Sequence, residues 1–265
     1  MRKNLMFTNS LKLEFIDGDY CKLDSNWRID TSPYIFTRLY YIYAGSGVVN
    51  CGGETITMLP GNLYLLPKDV PISYYCPETM DQLYFHVTLT NLEGFDILAN
   101  IPHVCQLPCS WELLGKLKKL HHSSDYCDLL EFKMLVTKTV IDCLHSANLP
   151  SLTTKSYSPE IIQAINYMQN NVNLQLTAEE VSKAVFTSPN RLHKLFKAET
   201  GMTLGTYLDR QVLFRAAQLL IDPKLSIGEI SRQLGFCDQY YFSRRFKSQF
   251  GQTPSEFRKS QTGLG

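Results

Sequence analysis

The sequence predicts an α+β chain of two domains. The first is an antiparallel β-barrel or sandwich with trailing helices, and the second is an all-α domain with two helix-turn-helix units. Three observations carry this. Short runs rich in Tyr, Phe, Val and Ile, divided by Gly and Pro turns, recur at about 8 to 12 residues over the first hundred positions. The apolar period lengthens to that of a helix after Pro108, and the last hundred residues contain a duplicated helix-turn-helix pattern. At 265 residues, 44% apolar and 19% charged, the chain can build two cores, which excludes wholesale disorder.

The strand runs are YIFTRLYYIYA, GVVNC, TITML, NLYLLP, ISYYC and QLYFHVTLT. Within the last, alternation sends Leu83, Phe85, Val87 and Leu89 to one face and Tyr84, His86, Thr88 and Thr90 to the other. Trp27 and Trp111 are read as structural. After Pro102 and Pro108, Leu113, Leu114, Leu117 and Leu120, then Leu129 to Leu144, fall at helical spacing. The second of these helices is apolar around more than one face, which suits either its own barrel or a second subunit. Domain boundaries follow: 1–147 for the first domain with helices over about 111–147, a Ser/Thr/Pro-rich linker over 148–158, and the helical domain over 159–265.

The eight cysteines are irregularly spaced in a chain with no secretory leader pattern, and read as reduced thiols. His103, Cys105, Cys109, His121, His122 and Cys127 show no paired ligand spacing, so neither a metal nor a cofactor is expected. No apolar run approaches the roughly 20 residues of a membrane span, and a cytoplasmic protein is expected. Net charge is +1, but residues 1–157 carry 13 Lys and Arg against 16 Asp and Glu, and residues 158–265 carry 13 against 9. Any attraction to phosphates therefore comes from the second domain.

That domain repeats at about fifty residues. At an offset of 49, Leu176, Glu180 and Ser182 fall on Leu225, Glu229 and Ser231; at 50, Phe186, Phe196, Lys197, Gly201 and Thr203 fall on Phe236, Phe246, Lys247, Gly251 and Thr253. One residue is inserted near Gly235. In each copy Thr177 or Ser226 opens a capping box with Glu180 or Glu229, a short helix and a brief turn follow, and a second helix ends at Gly201 or Gly251. Pro189 suits a first helical position. The two units span about 177–200 and 226–250.

Leu192, Leu195 and Phe196 form the buried stripe of the first second-helix, leaving Asn190, Arg191, His193, Lys194 and Lys197 outward. In its counterpart Phe242, Phe246 and Phe250 are buried, leaving Gln239, Tyr240, Ser243, Arg244 and Lys247 outward, with Arg245 at the margin. Amide, hydroxyl and guanidinium groups near a helix start are the chemistry that reads base edges in a major groove, and lysines further along suit phosphates. From Thr203 to Asp222 a connecting helix of roughly 30 Å compares with the ~34 Å between successive groove faces of B-DNA.

With these motifs in view, LHKLFKAETGMTLGTYLDRQVLFRAAQLL and LSIGEISRQLGFCDQYYFSRRFKSQFGQTPSEFRK resemble the AraC/XylS family of bacterial transcription regulators, over about 159–259. The resemblance implies a double-stranded promoter operator and RNA polymerase as partners, and usually activation. Carried onto this chain, base-contact candidates are Asn190, Arg191, His193 and Lys194, and Gln239, Tyr240, Ser243 and Arg244. Arg191 stands where the family often has Tyr, and Tyr240 where a small residue is common. YYIYAGSGVVNCGGETITMLPGNLYLLPKDVPISYY is similar to the cupin-type sensor domain of many members, which implies a barrel that binds a small molecule and helices that form a homodimer. Metal-binding cupins carry an HxH cluster that is missing here. Arg38, Tyr41, Tyr43, Tyr84 and His86 suit the ring and hydroxyls of a carbohydrate-like effector. The leading expectation is an effector-responsive regulator; a ligand-independent repressor or co-regulator, and a cupin-type enzyme, are the alternatives.

Overall fold

Alternation along a strand separates two faces, and in the larger sheet of this protein both are covered. A computed structural model of the chain describes residues 2–32, 36–68, 70–149 and 157–262. They divide into one unit of Met1–Asn91 with Phe95–Thr153, and a second of Leu92–Gly94 with Thr154–Gly265. Positions 150–156 of the expected linker lie outside the described residues.

The first unit begins with a helix, α1 (Arg2–Ser10), where strands and turns were expected. Leu, Met, Arg and Lys are good helix formers, and the Ser10 hydroxyl closes the end on the Phe7 carbonyl at 2.7 Å. The strands are β1 (Lys12–Asp24), β2 (Arg28–Ser32), β3 (Thr37–Gly45), β4 (Gly47–Cys51), β5 (Glu54–Met58), β6 (Asn62–Leu66), β7 (Ile72–Tyr75), β8 (Thr79–Thr90) and β9 (Cys105–Pro108). They form two antiparallel sheets, ordered β1-β8-β3-β6-β9 and β2-β7-β4-β5. Gly52 (φ 60°) and Gly53 (φ 86°) join β4 to β5, with Cys51 opposite Glu54. A two-residue hairpin needs positive φ at both positions, and glycine supplies it without a Cβ penalty.

One core lies between the sheets: Tyr40, Ile42, Tyr64 and Leu66 of the larger meet Val49, Met58, Ile72 and Tyr74 of the smaller. Trp27 joins it, with its ring 4.5 Å from that of Tyr74. A second core lies on the other face of the larger sheet. There Leu39, Leu65, Leu83, Phe85 and Val87 pack with Leu114 and Leu117 of α2 (Trp111–Leu120) and Phe132, Val136 and Val140 of α3 (Tyr126–Ser146). Burying such side chains stabilises by roughly 1.5–3 kcal/mol each. Ser110 and Asp125 cap these helices through backbone N–H groups. Trp111, read from the sequence as structural, is 62% exposed, and Tyr126, Leu130 and Met134 form an exposed stripe along α3.

The second unit is helical: α4 (Pro159–Asn170), α5 (Ala178–Ala184), α6 (Pro189–Thr200), α7 (Leu204–Leu220), α8 (Ile227–Gln233), α9 (Gln239–Phe250) and α10 (Pro254–Thr262). Both capping boxes form, Thr177 with Glu180 and Ser226 with Glu229. Gly201 (φ 81°) and Gly251 (φ 74°) end α6 and α9 in the left-handed conformation. The connecting helix α7 has 17 residues, about 25 Å at 1.5 Å per residue. It is shorter than expected because Thr203 and Ile221 are its caps.

Candidate nucleic-acid interface and effector site

The second helix of each unit starts from a side-chain cap. The Ser188 hydroxyl accepts from Arg191 N at 3.3 Å, and the Asp238 carboxylate accepts from Tyr241 N at 2.6 Å. That bond holds the Asp238 carboxyl below its usual range. The caps settle which residues begin each helix and therefore which face outward. Leu192 and Phe196 are buried and Leu195 half-buried, while Asn190, Arg191, His193, Lys194 and Lys197 are exposed. In α9, Phe242 and Phe246 are buried and Phe250 half-buried, while Gln239, Tyr240, Arg244 and Lys247 are exposed. Ser243 is half-buried and its hydroxyl donates to the Gln239 carbonyl at 2.8 Å. Arg191 lies 3.7 Å from Glu160 in an exposed pair, which costs little to exchange for a phosphate or base.

Arg245, at the margin in the sequence, is a strut. Its guanidinium pairs with Asp209 of α7, tying α9 to the connecting helix. Arg258 of α10 donates to the carbonyls of Leu220 (2.9 Å), the last residue of α7, and of Leu225 (2.6 Å) in the loop that follows. Since α7 also packs on α6, α6 and α9 rest on one rod. These long-range partners had no signature in sequence.

The turns of the two units differ, and this fixes which residue near Gly235 is the insertion. Thr187 N donates to the Ser182 carbonyl and Phe236 N to the Ser231 carbonyl, both at 3.0 Å. Thr187 is therefore the counterpart of Phe236, and Phe186 that of Gly235. The extra residue is Cys237. Phe186 has φ 55° and is 95% exposed, whereas Phe236 is buried. The match of Phe186 to Phe236 at an offset of 50 is therefore not structural, because backbone hydrogen bonding and not letter identity sets the register, whereas Phe196 and Phe246 are both fully buried.

In the first unit, Arg38, Tyr84 and His86 share the face of the larger sheet that looks toward the smaller one. Arg38 is fully buried, with its guanidinium carbon 5.4 Å from the centroid of Tyr74. The Tyr84 and His86 rings are 5.4 Å apart, the Tyr84 hydroxyl donates to Asp17 Oδ2 at 3.2 Å, and His86 Nδ1 lies 3.8 Å from that oxygen. Asp17 reaches in at a β-bulge of β1. Burial, and secondly the Arg38 charge, push the His86 pKa down to about 3, so the ring is neutral; burial raises Asp17. On the same strand, Gln82 Oε1 and the Thr88 hydroxyl are buried with no hydrogen-bond partner among the described residues. Buried polar atoms of this kind are costly unless a ligand or water meets them.

Tyr41 and Tyr43 do not join this group. They alternate with Arg38 and Tyr40 along β3 and so face the helices: the Tyr41 hydroxyl is bonded to Thr139 Oγ1 of α3 and the Tyr43 hydroxyl to the Leu114 carbonyl of α2, each at 2.7 Å. Burial raises the pKa of both. Placing Arg38 with Tyr41 ignored the strand period of two. All eight cysteines are free; Cys105 and Cys109 are buried, with Cys109 pushed up to about 11 by burial, the condition of an inert thiol.

Capped helices with exposed amide and guanidinium groups in one unit, and buried polar groups between the sheets of the other, are the features of a DNA-binding protein with a small-molecule-binding domain. Residues 181–260 match the model of a helix-turn-helix domain and residues 25–129 that of an AraC-like ligand binding domain. The chain is 26% identical over 239 residues to the Msm operon regulatory protein of Streptococcus mutans, covering 83% of each chain. It is 25% identical over 234 residues to the lactose operon transcription activator of Staphylococcus xylosus, covering 83% of this chain and 82% of the relative. Among solved structures, ToxT from Vibrio cholerae O395 bound to (E)-4-(8-methylnaphthalen-1-yl)but-3-enoic acid shares the fold at 15% identity, with a TM-score of 0.51 over 91% of this chain and 97% of that one. The chain belongs to the AraC family of transcription regulators.

Proposed function

We propose that this chain is a cytoplasmic, homodimeric activator of a carbohydrate-utilisation operon that recruits RNA polymerase and catalyses no reaction. Asn190, Arg191, His193 and Lys194 of α6, and Gln239, Tyr240, Ser243 and Arg244 of α9, read base edges; Lys197 and Lys247 hold phosphates. The observation that carries this is the duplicated, capped helix with its exposed amide and guanidinium groups. The activator and sugar components rest on the names of the two relatives above, which regulate operons, one of them for lactose. Arg38, Tyr84 and His86 suit hydroxyl-rich ligands, with an arginine donor, a neutral imidazole and an aromatic face together. The exposed Tyr126, Leu130 and Met134 stripe of α3 suits the dimer contact. Among the described residues no helix is long and apolar enough to cross a membrane.

A gel-shift titration against promoter fragments of neighbouring carbohydrate operons tests the DNA reading. It should show sequence-selective binding whose logarithm falls linearly with the logarithm of salt. Affinity indifferent to both sequence and salt would overturn it. A thermal-shift screen of sugars tests the effector, because a ligand of the folded state must raise the melting temperature.

A further inference from the structure

Among the described residues, the β-unit holds a cluster of imidazole and carboxylate groups that neither the proposed DNA reading nor effector capture uses. His121 and His122 follow α2, and Asp19 lies on the edge strand β1. Asp19 Oδ1 is 3.8 Å from His121 Nε2 and 3.9 Å from His122 Nε2, and all three donor atoms lie within 4.8 Å of one another. His121 Nδ1 lies 2.7 Å from the Lys118 carbonyl. A carbonyl only accepts, so Nδ1 carries the proton and Nε2 presents a lone pair, the tautomer in which histidine ligates a metal through Nε2. That Nε2 is buried without a hydrogen-bond partner, on a side chain 6% exposed.

We propose that Asp19, His121 and His122 bind one divalent transition-metal ion, zinc by the nature of the donors. Two neutral imidazole nitrogens and one carboxylate oxygen suit zinc better than calcium or magnesium, which take oxygen sets. Zinc ligands at about 2.0–2.1 Å in a tetrahedron stand about 3.4 Å apart, so Asp19 Oδ1 must close on each imidazole nitrogen by about half an ångström, and the two nitrogens on each other by up to about 1.4 Å. Asp19 and His122 are 59% and 72% exposed and free to make that adjustment. His121 is the C-cap of α2, where the helix dipole favours a cation. The nearby Lys118 charge is engaged on aromatic faces, its Nζ 3.7 Å from the centroid of Tyr20 and 5.4 Å from that of Tyr43. The ion would clip the edge strand to the turn between α2 and α3, with water in the fourth position. The site stands whether or not the effector reading does.

The test uses the untagged full-length protein, stripped of metal and titrated with zinc chloride by calorimetry and equilibrium dialysis. Cys127→Ser/Cys237→Ser provides the background, so that exposed thiols contribute no ligand. One zinc per chain is expected, with affinity at least about tenfold weaker in Asp19→Asn and in His122→Ala. Both positions are exposed, and unchanged circular dichroism will show the variants folded. Cobalt(II) should give visible absorption of a tetrahedral nitrogen and oxygen site that disappears in the same variants. Absence of saturable zinc binding in the parent, or unchanged affinity and stoichiometry in Asp19→Asn/His122→Ala, would overturn the proposal.

Discussion

In the β-unit the polar groups suited to recognition are sunk between layers, Arg38 at 0% and His86 at 5% exposure, whereas in the helical unit their equivalents stand in water on α6 and α9. The contrast fits the function proposed above, in which the two units meet partners of different size and charge. A small neutral ligand offers few contacts, so each has to be made in a desolvated place where an unmet hydrogen bond is costly. A polyanion offers charge over tens of ångströms, and exposed side chains can gather it without prior desolvation.

Acid should divide the two units most strongly. His86, held near a pKa of about 3, stays neutral in the folded chain, while the unfolded chain takes up its proton below the ordinary value of 6.5. The stability this contributes is whole above pH 6.5 and is lost as pH falls toward 3, several kcal/mol across the full window. Asp17, with its raised pKa, runs the opposite way only in the carboxylate range, so the effect is best measured between about pH 5 and 6.5. Both tryptophans, Trp27 and Trp111, lie in the β-unit, so their fluorescence follows its unfolding alone. His86→Gln should flatten the slope, and an unchanged slope would mean that the ring is not held neutral.

Next in size, Phe246→Ala should cost the helical unit about 3–5 kcal/mol. Phe246 is fully buried, and its ring contacts those of Phe242, Phe250 and Phe257 at 5.7, 4.5 and 5.3 Å. Denaturant unfolding followed by far-ultraviolet circular dichroism should register the loss while the tryptophan signal of the β-unit holds. Arg244→Ala should weaken operator binding by about 1–3 kcal/mol and relax preference at one base pair, whereas Lys247→Ala should weaken all sequences alike and reduce the salt slope by about one. The smallest effect sharpens the difference between the two turns. Phe186→Gly should stabilise by about 1 kcal/mol, because a left-handed non-glycine residue is relieved and a 95% exposed ring loses no packing. A loss there would show that the ring has a partner in the free protein.

How much was readable from the sequence divides along the same line. Capping boxes, Pro189 and the apolar stripes act within four residues of one another, so the helices and their outward faces were legible at once. Alternation likewise separated Leu83, Phe85 and Val87 from Tyr84, His86 and Thr88. It could not say that the first set lies under α2 and α3 and the second between sheets, since both faces are buried and the covering layers come from distant sequence. Tyr41 and Tyr43 were misassigned although their parity was visible. The Arg245–Asp209 pair and the meeting of Asp19 with His121 required the tertiary fold, the latter joining positions about a hundred residues apart.

The 17-residue rod α7 has an evolutionary corollary. Adding one residue to it would rotate everything downstream by about 100° and advance it by 1.5 Å, while adding one base pair to an operator turns the duplex by only about 34° and advances it by 3.4 Å. No single insertion in the gene can be matched by a single insertion in its target. The corners between helices are freer of this constraint, and the turn before α9 carries Cys237, one residue more than the turn before α6.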